Sequence, residues 1–347
     1  MFEKITEGNA EVMAPKEKKI SAKLPVFFNP VMRLNRDFSV MALRAYGKAH
    51  FADILAGTGV RGIRLMLETG SVKSMTMNDS NPRFPGIAAK NLELNAVKAE
   101  IFNKDANLFL LESLGFDAID IDPFGSPNPF LDAAISRIAR RGLLFVTGTD
   151  TASLSGTFPK TCQRKYWGMP LRNHLMHEIG LRILIRRIQL VGADKEKALT
   201  PLFSYFRDHY FRICFLAEKG RLKADEIVKQ HSLLRYDDFF LQPDPAGTIG
   251  PAWTGALHDA SFLKKMLDRG EGMPGDTVAF LSLLQQEAII NPLGFLDMHV
   301  IAEKTKKDPE QIKIVLGRLR EQGIPCCVSH FCPWGIAVPR KITRLPF

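Results

Sequence analysis

Cysteine is scarce in this chain: five among 347 residues, an odd number, build no disulfide framework. Cys162 and Cys214 stand apart, while Cys326, Cys327 and Cys332 crowd together without paired Cys-x-x-Cys spacing. They read as small buried residues, so no metal is expected, and the compartment is expected to be reducing, the cytoplasm. No window approaches the roughly 18 uninterrupted apolar residues of a spanning helix. The stretch from Met1 to Lys19 is studded with Glu and Lys and has no apolar core of a secretory signal. Internal repeats and low-complexity tracts are missing too. A disordered chain is excluded nonetheless, because 46% hydrophobic and 24% charged residues are proportions that bury a core.

Acidic charge is the minority sign. Lys and Arg number 47 against 37 Asp and Glu, a net +10. That excess points to a polyanionic partner, nucleic acid ahead of an anionic membrane surface. In the first half, strand-like and helix-like segments alternate, which predicts an α/β fold with a doubly wound parallel sheet. Strands are expected at 50–55, 72–77, 101–102, 116–121 and 142–147, with helices at 60–68, 82–97 and 128–139. Beyond Pro170 the pattern changes. A long helix is expected over 171–190, a strand over 209–217, and a Pro- and Gly-rich loop over 242–255 with at most one short strand. A boundary after His258 divides the chain into 1–258 and 259–347. In the second part, Asp308-Pro309-Glu310 reads as a helix start. Ile312, Val315, Leu316 and Leu319 share one face of that helix, and Gly323 ends it. With a helix at 297–304 and a strand-turn-strand at 324–338, this is either a winged helix-turn-helix or another small α+β cap.

The chemistry gathers at the strand ends. Asp53 leads into Ala56-Gly57-Thr58-Gly59, where glycines let backbone approach a ligand closely; dehydrogenases and other nucleoside-binding enzymes share this turn. Asp79, about twenty residues on, suits ribose hydroxyls, and Asp105 suits an exocyclic adenine amine. The fourth strand ends in Asp122-Pro123-Phe124. A carboxylate there can accept an N–H of an exocyclic base amine, localise its lone pair and take up the proton as a methyl arrives. Pro123 stiffens the turn and Phe124 can stack on the base. The bland alternative makes Asp122 a helix cap and Phe124 a core residue. Phe27 and Phe28, in a loop flanked by Pro25 and Pro30, offer a second stacking ring. Between Lys160 and Leu190 lie seven basic residues and one acidic one, Glu178; Lys160, Arg164, Lys165 and Arg172 are candidate phosphate contacts. His174, His177 and Glu178 follow neither zincin pattern and read as polar helix contacts.

The segments DIDPFGSP (Asp120 to Pro127), FFNPVMRLNRD (Phe27 to Asp37), LAGTGVRGIR (Leu55 to Arg64) and GPAWTGALHD (Gly250 to Asp259) resemble the tRNA (guanine-26-N2)-dimethyltransferases of archaea and eukaryotes. TDTASLSG, RKYWGMPLR, HEIGLRIL, DHYFR, LREQG and SHFCPWGI extend the resemblance over nearly the whole chain. It implies a class I methyltransferase that uses S-adenosyl-L-methionine to convert one tRNA guanine to N2,N2-dimethylguanosine. It also implies cofactor contacts at Arg36, Arg61, Asp79, Asp105 and Ala106, catalysis by Asp122, stacking by Phe124, and a C-terminal part that helps hold tRNA. Some members carry a Cys-rich zinc cluster where residues 213–249 here hold only Cys214, and Cys332 and Trp334 replace smaller polar residues. Two rival readings are an amino-methyltransferase acting on DNA adenine or a protein amide, and a catalytically silent RNA-binding protein on the same fold.

Overall fold

Short apolar runs ending in polar or glycine-rich residues become strands in the computed structural model, which describes residues 2–16, 26–237 and 239–340. The chain opens with a hairpin of β1 (Phe2–Glu7) and β2 (Ala10–Pro15), hidden in the sequence by its interspersed charge. A 3-10 turn at Pro30–Met32 leads into α1 (Arg33–Tyr46). Then come β3 (Ala49–Asp53), α2 (Val60–Thr69), β4 (Val72–Asn78), α3 (Phe84–Leu94), β5 (Glu100–Phe102), α4 (Ala106–Glu112), β6 (Phe116–Ile121), α5 (Asn128–Arg137) and β7 (Ile138–Gly148). The parallel strands are ordered β5-β4-β3-β6-β7. Their residues are almost continuously buried towards the strand ends because helices cover both faces. The order reverses between β3 and β6, where Asp53 lies opposite Asp120. At such a switch point the loops leaving two neighbouring strands diverge and open a crevice at the carboxyl edge.

These elements, with residues 215–219 and 265–278, form one compact unit, and residues 149–214, 220–264 and 279–347 form a second. The division interleaves along the chain, whereas the sequence points to a single boundary after His258. A return of distant segments to an earlier unit leaves no local compositional mark.

The second unit begins with α6 (Thr151–Leu154), α7 (Pro159–Tyr166) and α8 (Met176–Asp194). Helix α8 starts later than 171 because Asn173 forms a turn first, its side chain accepting from Leu175 N at 2.8 Å. Strand β8 (Lys197–Arg207) turns at Asp208 into β9 (Tyr210–Lys219), and α9 (Arg221–Val228) follows. The Pro- and Gly-rich stretch carries two short strands, not one: β10 (His231–Tyr236) is flanked by β11 (Leu241–Pro243) and β12 (Ile249–Trp253). Pro243 is tolerated because β11 is an edge strand. Helices α10 (Ala260–Asp268) and α11 (Gly275–Ile290) precede β13 (Leu296–Asp297), α12 (Met298–Thr305), α13 (Ile312–Glu321), β14 (Cys327–Ser329) and β15 (Cys332–Ala337). This strand-helix-helix-strand-strand succession, with sheet order β13-β15-β14, is the winged arrangement. Leu296, Ile301, Val315, Leu319 and Ile336 form its core. Helix α13 begins at Ile312 and not at Pro309: Gln311 is extended at φ −62° and ψ 129°, and Glu310 pairs with Arg318 at 2.6 and 3.1 Å. Among the described residues no helix is long and apolar enough to cross a membrane.

Candidate active site at the carboxyl edge of the sheet

The loop after β3 is pinned from two sides. Gly57 has φ +56°, and a Cβ there would meet the Phe27 carbonyl oxygen at 2.6 Å, so only glycine fits. Gly59 turns the chain into α2 at φ +79°. Asp79 accepts from Gly57 N and from Asn81 N, each at 2.9 Å. Thr58 N donates to Phe27 O at 3.2 Å, which ties the Phe27 backbone to the same loop. Fully buried Asn78, an unforeseen contributor, donates to Ile54 O (3.2 Å) and Lys104 O (3.1 Å), clamping the ends of β3 and β5 beside it.

Asp122 leaves β6 and meets Arg61, whose Nη2 donates to Asp122 Oδ2. The guanidinium is anchored behind by Asn35 Oδ1 (2.8 Å), Ser39 Oγ (2.9 Å) and Asp120 Oδ2 (3.3 Å). Asn35 is itself held by donating to Thr147 Oγ1 at 3.2 Å. Helix α5 has Pro127 at its cap position and no side-chain cap, so Asp122 is no helix cap. Phe124 is 53% exposed, so it is no core residue either. Its ring meets Phe27 edge-on, centroids 4.5 Å apart at 76°. Val26, Phe27, Leu55, Asp79, Asp122 and Phe124 line one cavity of about 580 Å³ together with Pro123. Beneath it, burial, with Asp120, Asp122 and Asp79 nearby, pushes the Asp53 carboxyl up to about 7, against the pull of Arg61.

A sequence profile described as N2,N2-dimethylguanosine tRNA methyltransferase matches residues 8–238 and 240–344. The chain belongs to that family. It is 37% identical to the tRNA (guanine(26)-N(2))-dimethyltransferase of Thermococcus kodakarensis, over 96% of this chain and 94% of that one. It is 35% identical to the tRNA (guanine(26)-N(2)/guanine(27)-N(2))-dimethyltransferase of Aquifex aeolicus, over 88% and 86%. The structure of Trm1 from Pyrococcus horikoshii in complex with S-adenosyl-L-methionine superposes with a TM-score of 0.89 at 34% identity, covering 96% of each chain. The fold is thus a class I methyltransferase fold, the one in which that Trm1 structure binds S-adenosyl-L-methionine. The residues fit it: a half-exposed cavity, a carboxylate at the β4 end, and a backbone turn with no room for a side chain.

Several of the expected cofactor contacts do not line this cavity. Arg36 is buried against Glu7, its Nε 2.6 Å from Oε1 and its Nη2 2.5 Å from Oε2, and it also donates to Asn29 O at 2.9 Å. Glu7 accepts from Arg64 as well, at 3.0 Å. Burial opposes its ionisation, but the two arginines outweigh it and hold its carboxyl below the usual range. Phe28 lies against Arg36, 5.4 Å from ring to guanidinium, and is not among the residues lining the cavity; of the two phenylalanines, only Phe27 joins Phe124. Asp105 caps α4, accepting from Asn107 N and Leu108 N at 2.9 and 3.1 Å. Neither it nor Ala106 lines the cavity.

In the second unit of this family member, Lys160, Arg164 and Arg172 are exposed, while Lys165 is 2.8 Å from Asp150 and so partly neutralised. His174, His177 and Glu178 take separate partners: Tyr236 and Phe295 rings, the Phe206 ring, and Arg182 at 2.8 Å. Fully buried Arg182 also donates to Trp253 O (3.2 Å), Gly255 O (3.0 Å) and Pro292 O (3.0 Å), which makes it structural. Among the described residues one set of metal-competent groups converges: His258, Glu287 and His330. Hydrogen bonding accounts for part of its geometry, although His258 Nε2 and His330 Nε2 are both buried without a hydrogen-bond partner. His258 Nδ1 accepts from Ser204 N at 3.4 Å, so its Nε2 carries the proton that faces Glu287 at 3.6 Å. Glu287 also accepts from His330 Nδ1 and from His330 N, the latter at 2.8 Å.

Proposed function

We infer that the protein is a tRNA (guanine(26)-N2)-dimethyltransferase, adding two methyl groups to one exocyclic amine. The observation that carries this reading is Asp122, fixed by Arg61 at the wall of a cavity whose rim holds the Phe27–Phe124 pair. A guanine must leave its stack to enter such a cavity, at a cost of a few kcal/mol that aromatic contacts offset. S-adenosyl-L-methionine supplies an electrophilic methyl on sulfur, and the N2–C bond forms as the C–S bond breaks. Asp122 accepts one N2–H, keeps the amine lone pair out of the ring and receives the proton that the alkylated nitrogen sheds. The remaining N–H serves the second round in the same way. Asp79 and the Gly57–Gly59 turn hold the cofactor, and orientation supplies most of the rate. Arg36, Asp105 and Ala106 act around that cofactor site without walling the cavity. Lys160, Arg164 and Arg172 contact tRNA phosphates, and the winged C-terminal module steadies the tRNA, in the cytoplasm.

Nucleoside mass spectrometry of an unmodified tRNA transcript incubated with protein and S-adenosyl-L-methionine tests the reading. N2-methylguanosine is expected to appear and then give way to N2,N2-dimethylguanosine, and a transcript with adenine at position 26 is expected to stay unmodified. Methyl incorporation into DNA adenine or protein amide instead, or none at all, overturns it.

A further inference from the structure

Trp167 closes α7 in the left-handed region, at φ 56° and ψ 38°, a conformation that favours glycine and disfavours a bulky side chain. Its indole is nevertheless 54% exposed, so packing does not explain why tryptophan stands there. The backbone is held in place around it. Trp167 N donates to Gln163 O at 3.0 Å, and its carbonyl accepts from Arg186 Nη1 at 3.2 Å. Two residues on, Met169 exchanges a pair of backbone hydrogen bonds with Gly250, each 2.7 Å. A strained residue fixed by its surroundings, with its side chain left in solvent, points to a role outside packing.

The charges beside it are unbalanced. The Arg187 guanidinium lies 4.1 Å from the indole centroid. Among the described residues neither Arg186 nor Arg187 pairs with a carboxylate, and the Nε of each is buried without a hydrogen-bond partner. Burial lowers the pKa of both, and Arg187 lowers that of Arg186 further. The same field reaches His231, which burial and then Arg186 push down to about 4. Half-buried positive charge of this kind is unfavourable until an anion arrives.

We propose that Trp167, Arg186 and Arg187 form a nucleotide platform: an unpaired tRNA nucleotide stacks its base on the indole, and the phosphate beside it neutralises the arginine pair. A paired stem offers phosphates but no free base face, so the indole selects a loop, bulge or end. This inference rests on the tRNA reading above and adds a recognition site made of second-unit residues alone.

The test uses the full-length protein with Trp167→Gly, Trp167→Phe and the double variant Arg186→Gln/Arg187→Gln. Readouts are tRNA affinity at several salt concentrations, S-adenosyl-L-methionine affinity, thermal unfolding and oligomeric state. Trp167→Gly is expected to weaken tRNA binding on the order of tenfold, the loss of one base stack. Its unfolding temperature should hold or rise, because glycine relieves the left-handed strain, and Trp167→Phe should recover most of the affinity. The double variant should lower the log–log salt slope by about 0.7 for each phosphate that it no longer neutralises. Unchanged tRNA affinity in Trp167→Gly overturns the proposal. So does a joint loss of cofactor affinity and thermal stability, which makes Trp167 structural, or a change in oligomeric state, which makes it a protein contact. If the wild-type protein methylates no tRNA, the functional reading itself fails, and that result is separate from all of these.

Discussion

Asp53 ends β3 and Asp122 directly follows β6, yet Asp53 is buried while Asp122 lines a cavity. If Asp122 receives the N2 proton, Asp122→Ala and Asp122→Asn should fold and bind cofactor but lose roughly 10²–10⁴-fold in single-turnover methylation. A larger remainder of activity in the Asn variant would mean that orienting the amine contributes beside proton uptake. Wild-type rates from Asp122→Ala would remove it from the chemistry. Asp53 makes a stability prediction of opposite character. Its folded-state pKa, raised from 3.8 to about 7, means that the folded state holds a proton the unfolded chain has already released. Stability is therefore lost as pH rises from about 4 through 7. Asp53→Asn escapes that loss, so its unfolding temperature should overtake that of the wild type across this window, with the gain complete above pH 7. Parallel pH curves for the two proteins would show that Asp53 ionises normally.

At the scale of the element, the turn after β3 shows how a glycine pattern becomes a site. Gly57→Ala adds a Cβ 2.6 Å from Phe27 O at positive φ, so the turn must move away from both Phe27 and Asp79. Gly70→Ala provides the control, since Gly70 has φ +60° and nothing within 4 Å of its added Cβ; it bears only the left-handed cost of about 1–2 kcal/mol. Calorimetry should find cofactor affinity reduced in Gly57→Ala and preserved in Gly70→Ala, with Gly57→Ala also the less stable. Equal cofactor affinity in the two would detach this turn from the binding site. The glycines and the strand-end aspartates were legible because turn chemistry and strand periodicity are local. The β1–β2 hairpin was not, since its buried face, Ala10, Val12 and Ala14, is too small to stand out among flanking charges.

For the whole molecule, acid should act on the second unit through its buried histidines. Burial lowers the pKa of His258, and burial with Arg186 takes His231 to about 4. Below pH 6.5 the unfolded chain binds protons that these folded-state imidazoles refuse, so stability falls as pH drops from 6.5 towards 4. Glu287 adds a second loss: burial favours its neutral form, but His330 and His258 hold it at about 2, so its contribution disappears as pH falls from about 4.5 through 2. Because Asp53 gains stability over the same window, the loss is read by comparison: between pH 7 and pH 4 the unfolding temperature of His231→Gln should fall less, or rise more, than that of the wild type. An identical slope in the variant would clear His231 of any share.

By itself the sequence determined the alternating strands and helices, the positions of Asp79, Asp105 and Asp122 at strand ends, and the family. These follow from side-chain periodicity, turn residues and local motifs, which need no knowledge of what lies next to what. Tertiary structure alone decided which of these residues meet. Arg61 reaches Asp122 because β3 and β6 are neighbours at the switch point, although 61 positions separate the two residues. Arg36 turns to Glu7 because the hairpin packs on α2 and α3, which brings the end of β1 beside α1, and Phe27, not Phe28, faces Phe124 because its carbonyl is tied to the glycine turn. The interleaving of the two units and the convergence of His258, Glu287 and His330 are of the same kind. Pairings over such separations are set by sheet order and helix packing, which emerge only when the whole chain closes on its cores.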